Sequence, residues 1–309
     1  MTTLDLLQKL EDRVCPVCGS GPDKATSFLK QSVDPAKLDA FSYASRKTPE
    51  YMSFNLVTCR DCQTVYASPA PPAHAVSQAY HEADYDSSDE AVLAARTYGD
   101  ALARDLAGLG NKGDALEIGT GTGVFLSVLQ AAGFTRVTGV EPSPKAIAAA
   151  DPAIRPHIRE GIFVEADFTP ESFDLICCFM TLEHVSDPRP LVEACSRLLR
   201  EDGLLALVTH DYKGPVNRIL GRRSPIIDVE HLQIFCPESL QRLVTGAKLD
   251  IVRIESFANR YALRYWLRLM PLPKGLKAQL GRLFAATGLE RKLIGLRVGN
   301  LLTVARKPR

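Results

Sequence analysis

Four of the eight cysteines stand in two tight pairs, Cys15-Pro16-Val17-Cys18 and Cys59-Arg60-Asp61-Cys62. A Cys-x-x-Cys turn presents two thiolates to one ion, and two such turns complete a tetrahedral Zn²⁺ site. Four thiolates leave no open position for chemistry, so the ion expected at Cys15, Cys18, Cys59 and Cys62 is structural. The gap between the pairs exceeds the usual ribbon range of about 15–20 residues, and an insertion over residues 31–52 accounts for it. The other four cysteines lie in apolar segments, which together with the paired ones fits a reducing compartment.

A second chemical signal is the run Glu117-Ile118-Gly119-Thr120-Gly121-Thr122-Gly123. Glycines at a strand-to-helix turn let the backbone approach a ligand closely and adopt φ values closed to other residues. About 20 residues on, where such sites place their ribose acid, Gly139-Val140-Glu141-Pro142 brings a carboxylate able to accept both ribose hydroxyl protons. Turns of this kind serve dinucleotides, flavins and plain tight turns. The spacing Gly-x-Gly-x-Gly behind Glu117 favours S-adenosylmethionine (SAM) over a nicotinamide cofactor.

The elements that must carry these residues are legible as an alternation. Short apolar runs at 115–118, 136–140, 173–179 and 204–208 alternate with helical patterns at 124–132, 144–150 and 190–199. Such alternation predicts βαβ units and an α/β fold, a mainly parallel sheet with helices on both faces. A further helix is expected over 90–109, and later strands at 250–255 and 299–305. Segment 1–68 reads as a zinc-ribbon-like module. Residues 69–110 read as a connector and lid helix, opened by the stiff run Pro69-Ala70-Pro71-Pro72. Residues 111–309 read as the catalytic domain, with a basic helical insertion at about 258–297.

Composition narrows the classes. With 37 lysines and arginines against 36 acids among 309 residues, no global field favours nucleic acid or membrane. No run reaches the roughly 18 apolar residues of a membrane span, and the N-terminus lacks a signal pattern, so a cytoplasmic location is expected. Charge is segregated, however: from Arg253 to Arg309 thirteen lysines and arginines face two acids. Arg260, Arg264 and Arg268 are expected on one helical face, with Leu263, Trp266, Leu267 and Met270 on another.

The segments Leu116–Gly123, Gly139-Val140-Glu141-Pro142-Ser143, Ser172-Phe173-Asp174-Leu175-Ile176, Leu182-Glu183-His184-Val185-Ser186-Asp187-Pro188 and Leu198-Leu199-Arg200-Glu201-Asp202-Gly203-Leu204 resemble successive motifs of class I SAM-dependent methyltransferases. His231-Leu232-Gln233-Ile234-Phe235 extends the resemblance, which covers about residues 115–246 and points to the subgroup containing many small-molecule and ubiquinone-pathway enzymes. It implies a seven-stranded Rossmann-like sheet. It implies that Gly119, Thr120 and Gly121, with Glu117 and Gly123 framing them, approach the amino-acid end of SAM, and that Glu141 and the adjoining Pro142 hold the ribose. For adenine it implies the backbone at Ile162 and Phe163, with Asp167 as the rival position. The cysteine segment, followed by Tyr80 and Tyr85, resembles N-terminal zinc modules of bacterial methyltransferases that act on sugars, polyketides or related metabolites.

Three histidines fall near carboxyl ends of strands, where open α/β sheets bind ligands. His231, in the segment resembling the family's substrate-side loop, is the preferred general base; His184 and His210 follow. Some ubiquinone-pathway relatives place a metal-binding acid three residues before the Glu-His pair. This chain has Met180 there, a soft donor unsuited to hard divalent ions, so no catalytic metal is expected. The acceptor expected is a small molecule, an anionic one included: a sugar, nucleotide sugar or secondary metabolite. The basic insertion allows peripheral membrane contact. An RNA methyltransferase is the first alternative, disfavoured by the near-neutral charge, and a non-catalytic SAM-binding scaffold the second.

Overall fold

In the computed structural model, which describes residues 9–38, 41–44, 49–85 and 88–309, every residue of Phe173–Phe179 is buried, as a strand covered on both faces requires. With strands numbered along the chain, that segment is β7 of a seven-stranded sheet. Its companions are β4 (Asp114–Ile118), β5 (Arg136–Glu141), β6 (Ile158–Glu160), β8 (Leu199–His210), β10 (Asp250–Ala262) and β11 (Leu293–Arg306). Their order is β10-β11-β8-β7-β4-β5-β6. The pairs from β6 to β8 are parallel, and β11 runs antiparallel between β8 and β10. The order reverses between β4 and β7, which opens a crevice at the strands' carboxyl ends.

Helices cover both faces. On one, Leu102 of α2 (Ser88–Gly108) and Leu126 and Leu129 of α3 (Val124–Ala131) pack on Leu175, Val208 and Leu302. On the other, Val192 and Leu198 of α5 (Pro188–Leu198) and Leu240 and Leu243 of α7 (Pro237–Gly246) pack on Leu116, Ile176 and Leu205. Local sequence starts these helices: Asp187 accepts from the Arg189 N–H ahead of α5, with Pro188 pre-set for the first turn. Two further helices, α1 (Ala73–Glu82) and α4 (Pro144–Ala148), flank the crevice.

The second core continues without a break into Cys15, Val17, Cys59, Cys62 and Tyr66. Here β1 (Ala25–Leu29), β2 (Leu56–Cys59) and β3 (Val65–Ala67) form an antiparallel sheet, whose fourth strand is β9 (Gln233–Ile234), contributed from beyond β8. The described part of the cysteine-bearing segment therefore shares a sheet as well as a core with the rest of the chain.

The expectation of a helical insertion at 258–297 needs correction. Strands β10 and β11 run on past the sheet and pair from Asn259↔Leu296 to Ala262↔Leu293, and only the chain between them is helical, as α8 (Leu263–Leu269) and α9 (Lys274–Ala286). Arg260 thus lies on a strand, not on a helical face with Arg264 and Arg268. In the structure Phe257, Asn259 and Tyr261 are buried alternately, the period of two that a strand requires, and the leucine-rich sequence that follows hides it. The remaining helix, α6 (Pro215–Leu220), follows β8. Among the described residues no helix is long and apolar enough to cross a membrane.

Candidate functional site

The turn after β4 is built for close approach. Gly119, Gly121 and Gly123 all have positive φ, 74°, 57° and 71°, a region L side chains rarely enter. A Cβ on Gly119 would fall 2.2 Å from Thr181 Oγ1, so a side chain is also excluded by space. The Gly119 and Thr120 N–H groups donate to the Val140 carbonyl at 2.9 and 3.0 Å, locking the turn to the end of β5. Glu141 is the last residue of that strand, and its carboxylate accepts from Gly121 N–H (2.8 Å) and Ser143 N–H (2.9 Å). Behind it, Glu117 is 4% exposed and accepts from the Thr120 hydroxyl.

Burial shifts both acids. Glu117 is pushed up to about 8, by burial first and by the neighbouring Glu141 charge next. Glu141 is raised by burial, and the two backbone N–H groups oppose the shift by favouring its charged form. Two buried acids beside a bare backbone turn suit a ligand that carries hydroxyls and positive charge, which fits SAM.

The turn opens into a cavity of about 1000 Å³ lined by Glu117, Gly119, Thr120, Gly121, Glu141 and Pro142 at one end. Ile162 and Phe163 line it as well. Two of the predicted positions lie elsewhere. Asp167 is exposed outside the cavity, where its carbonyl accepts from Arg159 at 3.2 Å, because the turn Glu165–Asp167 carries it past the rim. Gly123 does not line the cavity; a Cβ there would fall 2.6 Å from Ile154 Cγ2, so its role is tight packing under α3.

At the other end the structure brings His184, His210 and His231 together. The His231 ring centroid lies 4.9 Å from that of His184 and 5.1 Å from that of His210, and all three line the same cavity. His231 is buried, and its Nδ1 donates to the Ile226 carbonyl at 2.9 Å. That bond fixes the tautomer, so Nε2 carries the lone pair of the neutral ring; Nε2 lies 4.0 Å from Glu230 Oε1. His184 Nδ1 is 2.8 Å from the Tyr80 hydroxyl and 3.3 Å from the Glu230 carbonyl. His210 Nδ1 is 3.2 Å from Asn300 Oδ1, and its backbone N–H donates to Glu183 at 2.6 Å. Glu183 is fully buried, raised by that burial to about 8; it ties the end of β8 to the loop after β7 and so braces the site. Glu230 and Asn300 are missed by sequence reasoning, and so is Arg13, which donates to the Ser186 and Leu232 carbonyls beside the His184 and His231 loops. Only Glu230 had a signal, its place directly before His231.

The walls between these ends are aromatic: Tyr98, Phe179, Tyr261, Tyr265 and Trp266. Tyr98 meets Phe179 edge-on at 5.1 Å, a favoured arrangement of ring quadrupoles.

The cysteines are gathered as the spacing requires. Cys15 Sγ lies 3.4 Å from Cys62 Sγ and Cys18 Sγ 3.6 Å from Cys59 Sγ, and the four sulfurs lie within 4.8 Å of one another. Tetrahedral bonds of about 2.3 Å need such separations, so this donor set fits a zinc ion. The Cys62 thiol is raised by the Cys15 hydrogen bond and by burial, a cost that a bound cation reverses.

The family described as "Methyltransferase domain" matches residues 91–254, more than half of the chain. The chain belongs to this methyltransferase family. Its members take SAM as cosubstrate, and the enzyme is a SAM-dependent methyltransferase. Among curated relatives, the ubiquinone biosynthesis O-methyltransferase of Paracidovorax citrulli is 30% identical, over 48% of this chain and 70% of its own length. Those of Aromatoleum aromaticum and Cupriavidus pinatubonensis are 34% and 27% identical, each over 48% of this chain and over 68% and 64% of their own lengths. Solved structures with a similar fold include a SAM-dependent methyltransferase from Mesorhizobium loti (18% identity, TM-score 0.42, 68% of this chain and 99% of that one). The YcgJ protein of Bacillus subtilis is another (17%, TM-score 0.46, 68% and 99%). The family match takes in the glycine turn, Glu141 and all three histidines of the methyltransferase, and it leaves out the cysteine cluster and the β10–β11 arm.

Proposed function

We propose that this methyltransferase methylates a hydroxyl of a small-molecule acceptor held beside His231. The observation that carries the reading is the continuity of one cavity from the glycine turn to the three histidines. SAM supplies a methyl group on a sulfonium that is already a good leaving group, so positioning does most of the catalysis. In this reading the 119–121 backbone and Glu117 hold the amino-acid end of the cosubstrate, Glu141 the ribose, and Ile162 and Phe163 the adenine side. His231 Nε2 takes the acceptor's proton, and Tyr80 with His184 orients the acceptor oxygen. The aromatic wall favours an acceptor with a flat or apolar body over a bare sugar or nucleotide sugar. Relatives named O-methyltransferases support oxygen as the acceptor atom. A structural zinc ion at Cys15, Cys18, Cys59 and Cys62 completes the proposal.

The test is His231→Asn, assayed with labelled methyl transfer into fractionated cell extract. A loss of about 10²–10⁴-fold in kcat is expected for a general base, with SAM affinity by calorimetry unchanged. Wild-type turnover would remove the proton-accepting role from His231.

A further inference from the structure

The arm built by the far ends of β10 and β11 with α8 and α9 lies beyond the family match. Along its 13 residues α9 has no buried side chain. Yet Leu276, Leu280, Leu283 and Phe284 recur at i, i+4, i+7 and i+8, the pattern of one apolar helical face. Leu276 and Leu283 are 42% and 55% exposed, and Met270, Leu289, Leu293 and Leu296 are exposed nearby. Leu280 and Phe284 are half-buried, and the exposed apolar side chains gathered around them mark a binding face.

Charge says what covers it. Residues 258–297 contain nine lysines and arginines and one acid, Glu290. Some of the cations are engaged: Arg264 pairs with Asp89 (2.9 Å), Lys277 donates to the Arg268 carbonyl (2.7 Å), and Arg268 lies over Tyr265. Lys274, Arg282 and Lys292 are exposed around the leucines. A second copy of the chain would set like charges face to face. A nucleic acid would satisfy the cations and leave the leucines in water. A negatively charged plane with an apolar layer beneath it satisfies both.

We propose that the arm binds the surface of an anionic phospholipid bilayer, with the leucine face of α9 at the headgroup boundary. The root of the arm reaches the site, because Leu269, Met270, Pro271, Leu296 and Arg297 line the cavity. Seated this way, the enzyme draws an amphiphilic acceptor from the bilayer; this last step rests on the methyl-transfer reading above, whereas the binding surface does not.

The test is co-sedimentation of the full chain, without SAM or acceptor, with vesicles of phosphatidylcholine alone or mixed equally with phosphatidylglycerol. Wild type is expected to partition about tenfold or more better to the mixed vesicles. Lys274→Gln/Arg282→Gln/Lys292→Gln and, separately, Leu276→Ser/Leu283→Ser should each lose about tenfold or more of that binding. All five positions are exposed on the arm, so melting temperature and SAM affinity should stay at wild-type values; if one variant fails to fold, the other carries the test. Equal partition to neutral and charged vesicles, or unchanged binding in a folded variant, overturns the proposal. So does capture of bulk tRNA without vesicle binding, or a dimer abolished by the serine variant without vesicle binding. Methyl transfer is assayed separately, so its failure leaves the vesicle result standing.

Discussion

Glu117 joins burial to ligand chemistry in a single side chain. With its pKa near 8 in the free protein, the carboxyl is protonated at neutral pH, whereas a cationic ligand beside it favours the carboxylate. Binding below pH 8 must therefore expel a proton. If Glu117 faces the positive end of SAM, affinity should rise by about tenfold per pH unit up to roughly 8 and then level off. Calorimetry near pH 7 in two buffers of different ionisation enthalpy should show about one proton released, and Glu117→Gln should abolish the release. Affinity with no pH dependence in wild type would make Glu117 a purely structural acid. For stability the sign is opposite. A folded-state pKa above the usual value near 4.5 means that Glu117 and Glu183 favour the fold below that pH, and their contribution is lost as pH climbs toward 8. At this scale the glycine turn and both acids are legible in sequence because their geometry is local. Tyr80 and Glu230 gain meaning only where α1 and the loop before β9 converge on His184.

At the scale of elements, the strands are tied at the end opposite the site. Asp174 at the start of β7 accepts from the N–H groups of Gly113 (2.8 Å) and Asp114 (3.0 Å), from Arg200 (2.8 Å) and from Asn111 (3.0 Å). One buried carboxylate thus sets the register of β4, β7 and β8. Asp174→Ala should cost about 3 kcal/mol, because it leaves two backbone donors without their acceptor and Arg200 with only its longer bond to Asp114. Urea unfolding would measure it, and a change under about 0.5 kcal/mol, the size of an ordinary surface substitution, would refute the tie. Element type was readable wherever an apolar run was long, as at β7. It failed at the arm, where leucine-rich sequence reads as helix while cross-strand pairing between 259–262 and 293–296 holds the chain extended.

Across the whole molecule, the cysteine cluster and the loops that carry His184 and His231 form one structure. Arg13, two residues before Cys15, donates to the Ser186 carbonyl at 2.5 Å, to the Leu232 carbonyl at 3.3 Å and to Gln233 at 3.2 Å. Gln233, on β9, donates in turn to the Val185 carbonyl at 2.7 Å. These bonds hold the His184 and His231 loops against the cysteine sheet. Purified wild type should carry one zinc per chain by mass spectrometry. Removing it with a chelator, or by Cys15→Ser, should lower methyl transfer while leaving SAM affinity near wild type, because the glycine turn sits on β4. An absence of stoichiometric metal, or full turnover in Cys15→Ser, would sink this coupling.

The sequence by itself determined what depends on neighbours along the chain: the glycine turn and its acid, the βαβ alternation, the paired cysteines and the segregated charge. Each is a matter of spacing, and a backbone of fixed geometry turns spacing directly into shape. Only the tertiary structure decided that β9 completes the N-terminal sheet and that three histidines from three loops share one cavity. It also decided that Leu276 and Leu283 of α9 stay exposed. Those outcomes rest on contacts between residues far apart in sequence, set by how the sheet and its two cores pack, and no local pattern encodes them.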